Sequence, residues 1–340
     1  MNQPARGFAL AAVLWLLAGL AIVVSLVNDA AVTSAERVRQ LKDRAEFVKS
    51  ALTVRAQMVY FISLATPQSA GFSRGDAMLL ADETPYRIDT KSVLRIQDVG
   101  GLINLNRFNR PVLESFLENC AVPKEKISYL IDALEDYTDE DDLQRINGAE
   151  KTTYAQEGKP PPRNAPLLSV GEVWQVHGWG PLRSLLESNG CARALTTLGA
   201  GGLLGARVNL ATAPLMVLRA SGVDEASALD VMNARTNADG ITERVANAAA
   251  VSGNTGMFGL SNGVVQNELR VTHEHLSLPW TIEYTFKLDA SNDEKPWSIA
   301  QPAISSRAFT PAQPSSRALA WPLDSSKSPS PSDANPVLPF

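Results

Sequence analysis

The chain has little with which to perform catalysis. Its histidines number three among 340 residues, His177, His273 and His275, and no Gly-x-Ser-x-Gly nucleophile elbow occurs. His273-Glu-His275 in a strand would place both imidazoles on one face, but no third metal ligand has a clear claim. Gly199-Ala-Gly201-Gly202-Leu-Leu-Gly205 misses the dinucleotide-binding spacing and follows no clear strand, so a flexible turn is the better reading. Positive charge is also short. Lys and Arg total 31 against 36 Asp and Glu, a net charge of -5, which offers no basic footprint for nucleic acid. Hydrophobic content of 45% and charge of 20% are ordinary, so a real core is expected. Nothing here rises to a catalytic constellation.

Polar residues are missing from one long stretch near the start. Met1-Asn-Gln-Pro-Ala-Arg6-Gly7 runs into Phe8 to Val27, apolar or small throughout except for Ser25. As a helix this run would be about 30 Å long, the thickness of a bilayer's hydrocarbon core. A secretory signal has a shorter apolar core followed by its cleavage site. Here the candidate cut precedes the run, at Gly7-Phe8. Residues 1–7 then form a leader and 8–27 a single membrane span that stays on the mature chain; an uncleaved signal anchor is the alternative. Beyond it, Val38, Leu41, Ala45, Val48, Leu52, Val59 and Ile62 recur at three- and four-residue steps with longer gaps near Arg55. That is one face of an amphipathic helix over 28–65, packing on a soluble domain and offering its exposed side to partner helices.

A break follows from Thr66 to Asp76. Strand-like runs appear at Tyr86–Ile88 and Val93–Ile96, and 66–103 reads as the first part of an α/β domain. A helical insert over 104–240 comes next, with helices opening at Pro111, Pro123 and Pro214 and another over Asp224 to Arg235. Residues 241–297 hold the closing strands, Glu268–Thr272 and Trp280–Leu288. From 298 to 340 the chain is rich in Ser, and eight prolines fall in its last forty residues, a composition read as a disordered tail. The fold class is α+β: a long N-terminal helix on a small antiparallel sheet, interrupted by a large helical subdomain.

Three constellations stand out. Asp136-Tyr-Thr-Asp139-Glu140-Asp141-Asp142, with Glu150 beyond, begins where the Pro123 helix should end. Clustered carboxylates repel, and a helix C-terminus is itself negative. A hard cation among them would remove both costs, and Ca²⁺ takes oxygen ligands of this kind. It is no EF-hand, since Leu143 stands where a third Asp or Asn belongs and the loop glycine is missing. A solvated acidic loop is the alternative. Second, Cys120 and Cys191 lie in the part placed outside the cytoplasm, where a disulfide closing a loop of about seventy residues would contribute on the order of 4 kcal/mol. Two buried free thiols are an equal alternative. Third, Val208 to Asp224 is similar to the helix-hairpin-helix of DNA-uptake proteins, which would make the chain an anchored DNA-binding protein. Yet Asp224 replaces the second hairpin glycine and puts negative charge where a phosphate would sit, which favours the packing motif without DNA.

In order along the chain these motifs resemble one family, the minor pseudopilin K of type II secretion. The leader Arg6-Gly7-Phe8-Ala-Leu resembles a type IV prepilin cleavage site. Asp98, Gly101, Asn104, Leu105 and Asn106 match a family segment, as do Gly148-Ala149-Glu150, Tyr154, Pro161, Pro162 and Asn164. Pro166-Leu167, Ser169, Glu172, Gly178, Val208-Asn-Leu, Thr212-Ala-Pro214 and Val217-Leu218 complete the match, which spans about residues 5 to 290. Val99, Leu102 and Ala211 depart from the pattern. The resemblance implies cleavage by prepilin peptidase, an N-methylated Phe8, a bacterial inner-membrane anchor and a periplasmic bulk. It also implies a pseudopilus-tip role beside minor pseudopilins I and J, and calcium held by Asp136, Asp139, Asp141, Asp142 and Glu150. Ala12 fits a tip position, since most pilin-like proteins carry there a Glu that pairs with a neighbouring subunit's N-terminal amine.

Overall fold

The computed structural model describes residues 8–199, 208–235, 238–251, 268–288, 297–306 and 318–322. The chain divides into two compact units, one ending at Met58 and the other beginning at Val59.

The first unit is most of a single helix, α1 (Phe8–Leu64), of 57 residues. Among the described residues it alone is long and apolar enough to cross a membrane. Two stripes run along its second half. Val38, Leu41, Ala45 and Leu52 are exposed and Val48 half-buried, as their spacing suggests. The buried residues are Phe47, Ala51, Val54 and Met58, spaced four, three and four apart. At 3.6 residues per turn that stripe lies roughly 120° around the helix from the exposed one. The single face expected over Val38 to Ile62 is therefore two faces, and only one of them is buried.

In the second unit a three-stranded antiparallel sheet follows α1: β1 (Thr66–Pro67), β2 (Gly71–Arg74) and β3 (Ala77–Leu80). The break expected at Thr66 to Asp76 is thus partly strand. Gly71 is required there, because a Cβ would lie 2.0 Å from the Leu79 carbonyl oxygen. Next come β4 (Asp82–Arg87) and β5 (Ser92–Asp98). The chain then leaves the main sheet through β6 (Ile103–Asn104), α2 (Arg110–Asn119), α3 (Lys124–Thr138), α4 (Lys151–Gln156) and α5 (Arg183–Ser188). It continues through β7 (Leu195–Thr196), which pairs parallel with β6, and α6 (Leu215–Ala220), α7 (Glu225–Ala234) and α8 (Ala238–Val251). The sheet resumes with β8 (Glu268–His275), β9 (Trp280–Leu288), β10 (Trp297–Ser306) and β11 (Leu319–Ala320). Its order is β10-β9-β8-β5-β4-β11, antiparallel except for β11 on β4.

The insert therefore departs and returns between neighbouring strands β5 and β8, the arrangement expected from the sequence. Its far boundary differs: helix continues to Val251, so 241–251 is not part of the closing strands. The tail differs as well. Residues 297–306 form a ten-residue strand. Proline is tolerated there because β10 is the edge strand, and Pro302 falls at the register shift between Ala300 and Ala303. β11 is likewise strand within the expected tail; the glycine-rich turn at 201–205 and tail residues 307–317 and 323–340 lie outside the described residues.

Candidate functional site

Asp98, fully buried at the end of β5, fastens the insert to the sheet. Its carboxylate accepts from the Gly100 amide (3.0 Å), Asn209 Nδ2 (2.8 Å) and Thr212 Oγ1 (2.9 Å). Gln97 Nε2 donates to the Thr212 carbonyl at 3.1 Å, and the Asn209 amide donates to the Gly100 carbonyl at 2.7 Å. A Cβ on Gly101 would meet Thr212 Oγ1 at 2.6 Å, so only glycine lets these segments close. Asn106 Nδ2 likewise ties the Leu167 and Thr197 carbonyls, at 2.9 and 3.2 Å. The dispersed motif residues thus meet as one joint. Cys120, at the end of α2, and Cys191 form a disulfide, with Cα atoms 6.2 Å apart. Of the two readings of these cysteines, the bridge is the one observed.

The acidic block sits where α3 stops. Asp139 is its C-cap, and the helix carries no basic residue in its last turn. The compensating charge comes from Arg145, in the loop that folds back. Its Nη1 donates to Asp136 Oδ1 at 2.9 Å and Asp139 Oδ2 at 2.5 Å, and its Nε lies 2.9 Å from Glu135 Oε2. Asp136, fully buried, also accepts from the Arg145 amide, and Gly148 passes so close that a Cβ would lie 1.9 Å from Asp136 Oδ2. Arg110 serves α3 in the same way a turn earlier, bridging Asp132, Glu135 and Glu114.

The five carboxylates singled out in the sequence are not used alike. Asp136 is neutralised by Arg145. Asp141 is exposed and accepts from the Leu143 amide at 2.8 Å, holding its own turn. Asp142 accepts from Asn164 Nδ2 at 3.0 Å. Among the described residues no three His, Cys, Asp or Glu side chains converge as a ready cage. Charge counting cannot show this, because Arg145 lies six positions past the C-cap Asp139 and only the fold-back of the loop brings it to the helix end.

Around the acidic loop, three of the described residues keep buried oxygens with no hydrogen-bond donor. Glu150 is 4% exposed, occupies the N-cap position of α4 without capping it, and neither carboxylate oxygen has a hydrogen-bond partner. Asp139 Oδ1 and Asn164 Oδ1 are buried and likewise unpartnered. Burial pushes the Glu150 carboxyl up to about 7, with Asp136, Asp139 and Asp142 adding to the rise. Unmet acceptors with no unmet donor among them are the complement of a hard cation. These unmet oxygens are of the kind a hard cation such as calcium takes, and Glu150 contributes two of them while Asp141 contributes none. Asn164 stood out in the sequence only as a motif position; its φ of 50° and its contacts to the acidic loop show why it stands there.

Elsewhere, His273 is buried on β8, and burial lowers its pKa to about 4. His275 Nδ1 accepts from the Ser277 and Leu278 amides at 3.1 and 3.0 Å, which makes it a turn fastener rather than half of a metal pair. In the hairpin between α6 and α7, Gly222 adopts φ 83° and Asp224 caps α7 by accepting from the Ser227 amide at 3.1 Å. Its carboxylate already occupies the helix N-terminus that a phosphate would need. On α1, Leu41, Arg44, Ala45, Val48, Lys49, Leu52 and Thr53 line a shallow open groove. Phe8 opens α1, while Gly7 lies outside the described residues.

Residues 89–184 match the family model described as type II secretion system (T2SS), protein K. That segment holds β5, α2 to α4 and the acidic block. In fold the chain is similar to a chain of the crystal structure of the GspK-GspI-GspJ complex from the enterotoxigenic Escherichia coli type 2 secretion system. The TM-score is 0.53 and the identity 13%, over 80% of this chain and 100% of that one. No curated protein matches the chain.

Proposed function

We propose that this chain is a minor pseudopilin of type II secretion, anchored by α1 in the bacterial inner membrane with its bulk in the periplasm. One observation carries the reading: a long helix, apolar in its first half, leads into a sheet whose neighbouring strands β5 and β8 are separated by a largely helical insert, and residues 89–184, which hold β5 and the first part of that insert, match the protein K model. Its work is mechanical, capping and initiating a short pseudopilus, and calls for no catalytic group. Prepilin peptidase would cut before Phe8, leaving an N-methylated terminus. Minor pseudopilins I and J, partners of the structurally similar chain, would pack on the exposed stripe of Val38, Leu41, Ala45, Val48 and Leu52. That stripe has the spacing a partner helix needs, and Arg44 and Lys49 flank it with positive charge.

Calcium is the cation we assign to the acidic loop. Glu150, Asp139 and Asn164 would hold it through their unmet oxygens, with Asp136 and Asp142 adjoining and Asp141 peripheral. Bound, it would supply positive charge to the C-terminus of α3 and pin the loop to α4. Expression with a prepilin peptidase and with proteins I and J tests the whole reading. Intact mass should show a chain beginning at methylated Phe8, and the three proteins should copurify from detergent. An uncut Met1, or a chain that leaves I and J behind, would overturn it.

A further inference from the structure

The sheet edge at β4 carries an occupant that the protein K reading does not account for. β4 is poorly suited to pairing over most of its length. Its register shifts between Asp82 and Pro85, Glu83 has a φ of 67°, and Pro85 has no amide hydrogen to donate. Only Tyr86 and Arg87 present a regular ladder. There the chain's own late segment docks in parallel, Leu319 opposite Tyr86 and Ala320 opposite Arg87. The next residue, Trp321, is 5% exposed, and its ring stands edge-on to Tyr86, with centroids 5.8 Å apart and planes at 79°. Tyr86 is itself held in place, since its hydroxyl accepts from the Leu80 amide at 2.6 Å.

A short ladder followed by a buried aromatic is the pattern by which sheet edges bind extended peptides. The backbone supplies affinity, and the side-chain seat supplies selection. Leu319 and Ala320 are exposed, so the two-residue ladder buries little of their side chains, and the Trp321 ring is the anchor. We propose that the β4 edge and the seat beside Tyr86 form a strand-docking site. Its resident ligand is the chain's own Leu319-Ala320-Trp321, which covers the edge and must be displaced before another extended segment can pair there. The site takes an extended peptide with a small residue followed by Trp. A tethered ligand has a high effective concentration, so the intact chain resists competing peptide.

The probe is a fluorescent peptide of the chain's own sequence from Ser316 to Leu323, titrated by anisotropy against the full chain in detergent. Two variants accompany it, a chain stopped after Ser306 and the full chain carrying Trp321→Ala. Peptide should bind both variants at least about tenfold more tightly than the unmodified chain, and the same peptide with Ala in place of its Trp should lose that binding. If truncation abolishes a cooperative melt, the Trp321→Ala chain carries the comparison. The proposal is overturned if peptide fails to bind a variant that melts cooperatively, or if it binds modified and unmodified chains equally. Neither outcome depends on whether the protein works in secretion.

Discussion

Replacing Glu150 by Gln should make the cation-free protein more stable at neutral pH, the reverse of most substitutions at a buried site. Glu150 is 4% exposed, and its carboxyl rises from 4.5 to about 7, first through burial and then through Asp136 and Asp139. Between those values the folded chain holds a proton that the unfolded chain has released. The folded state is therefore favoured by this group below about pH 4.5 and loses that advantage as pH climbs toward 7. The loss amounts to about 3 kcal/mol. Glutamine keeps the shape and never ionises. Without calcium the variant should match the parent near pH 5 and exceed it by up to about 3 kcal/mol near pH 7.5, several degrees in melting temperature. His273 tilts the other way. Buried and lowered from 6.5 to about 4, it loses stability as pH falls through that interval. The two slopes oppose each other in the parent, so Glu150→Gln should make stability rise more steeply with pH. Millimolar calcium should raise the parent's melting temperature near pH 7.5, where the proton is most easily replaced, and leave the variant unmoved. Thermal melts of the full chain in detergent, with chelator or calcium at both pH values, decide the matter. A variant less stable than the parent at high pH without calcium, or an equal calcium response in both, would refute the reasoning.

The joint, the bridge and the helix stripe make separate predictions. Asp98→Ala leaves Asn209 Nδ2 and Thr212 Oγ1 without their buried acceptor and should lower stability by about 3 kcal/mol or more, read as a urea midpoint. An unchanged midpoint would mean that the insert does not depend on this joint. Cys120→Ser with Cys191→Ser opens a loop of sequence separation 71 and should cost on the order of 4 kcal/mol. Reductant should reproduce that loss in the parent and do nothing to the double variant. Leu41→Glu with Leu52→Glu places charge on exposed positions of α1, so the chain's own melt should move by less than about 0.5 kcal/mol. Copurification with pseudopilins I and J should nevertheless fail. Retained partners would place the contact on another face of the helix.

What could be read from the sequence was pattern along the chain, and what could not was which groups the fold sets against one another. α2 and α3 were legible because Pro111 and Pro123 mark their starts and Leu, Ile and Val follow at helical steps. β8 and β9 announced themselves by alternation. β10 did not, because its proline and serine suggested a tail; only the β9 partner shows that Pro302 sits at a bulge on an edge. α1 was legible as a helix but not as a helix with two stripes. Phe47, Ala51, Val54 and Met58 are as periodic as the exposed set, and periodicity alone cannot say which of two apolar faces is buried. The acidic loop teaches the same thing about charge. Counting carboxylates points to Asp136, Asp139, Asp141 and Glu150, with Asp142 behind them, yet the fold sets Arg145 against Asp136 and Asp139 and a backbone amide against Asp141. What is left over decides the chemistry. Glu150, outlying in sequence and no more acidic than its neighbours, becomes the central candidate because its burial left both oxygens without a partner. Since a buried carboxylate in that state must take up either a proton or a metal ion, proton release on calcium binding should be larger near pH 6 than near pH 8 and should vanish in Glu150→Gln.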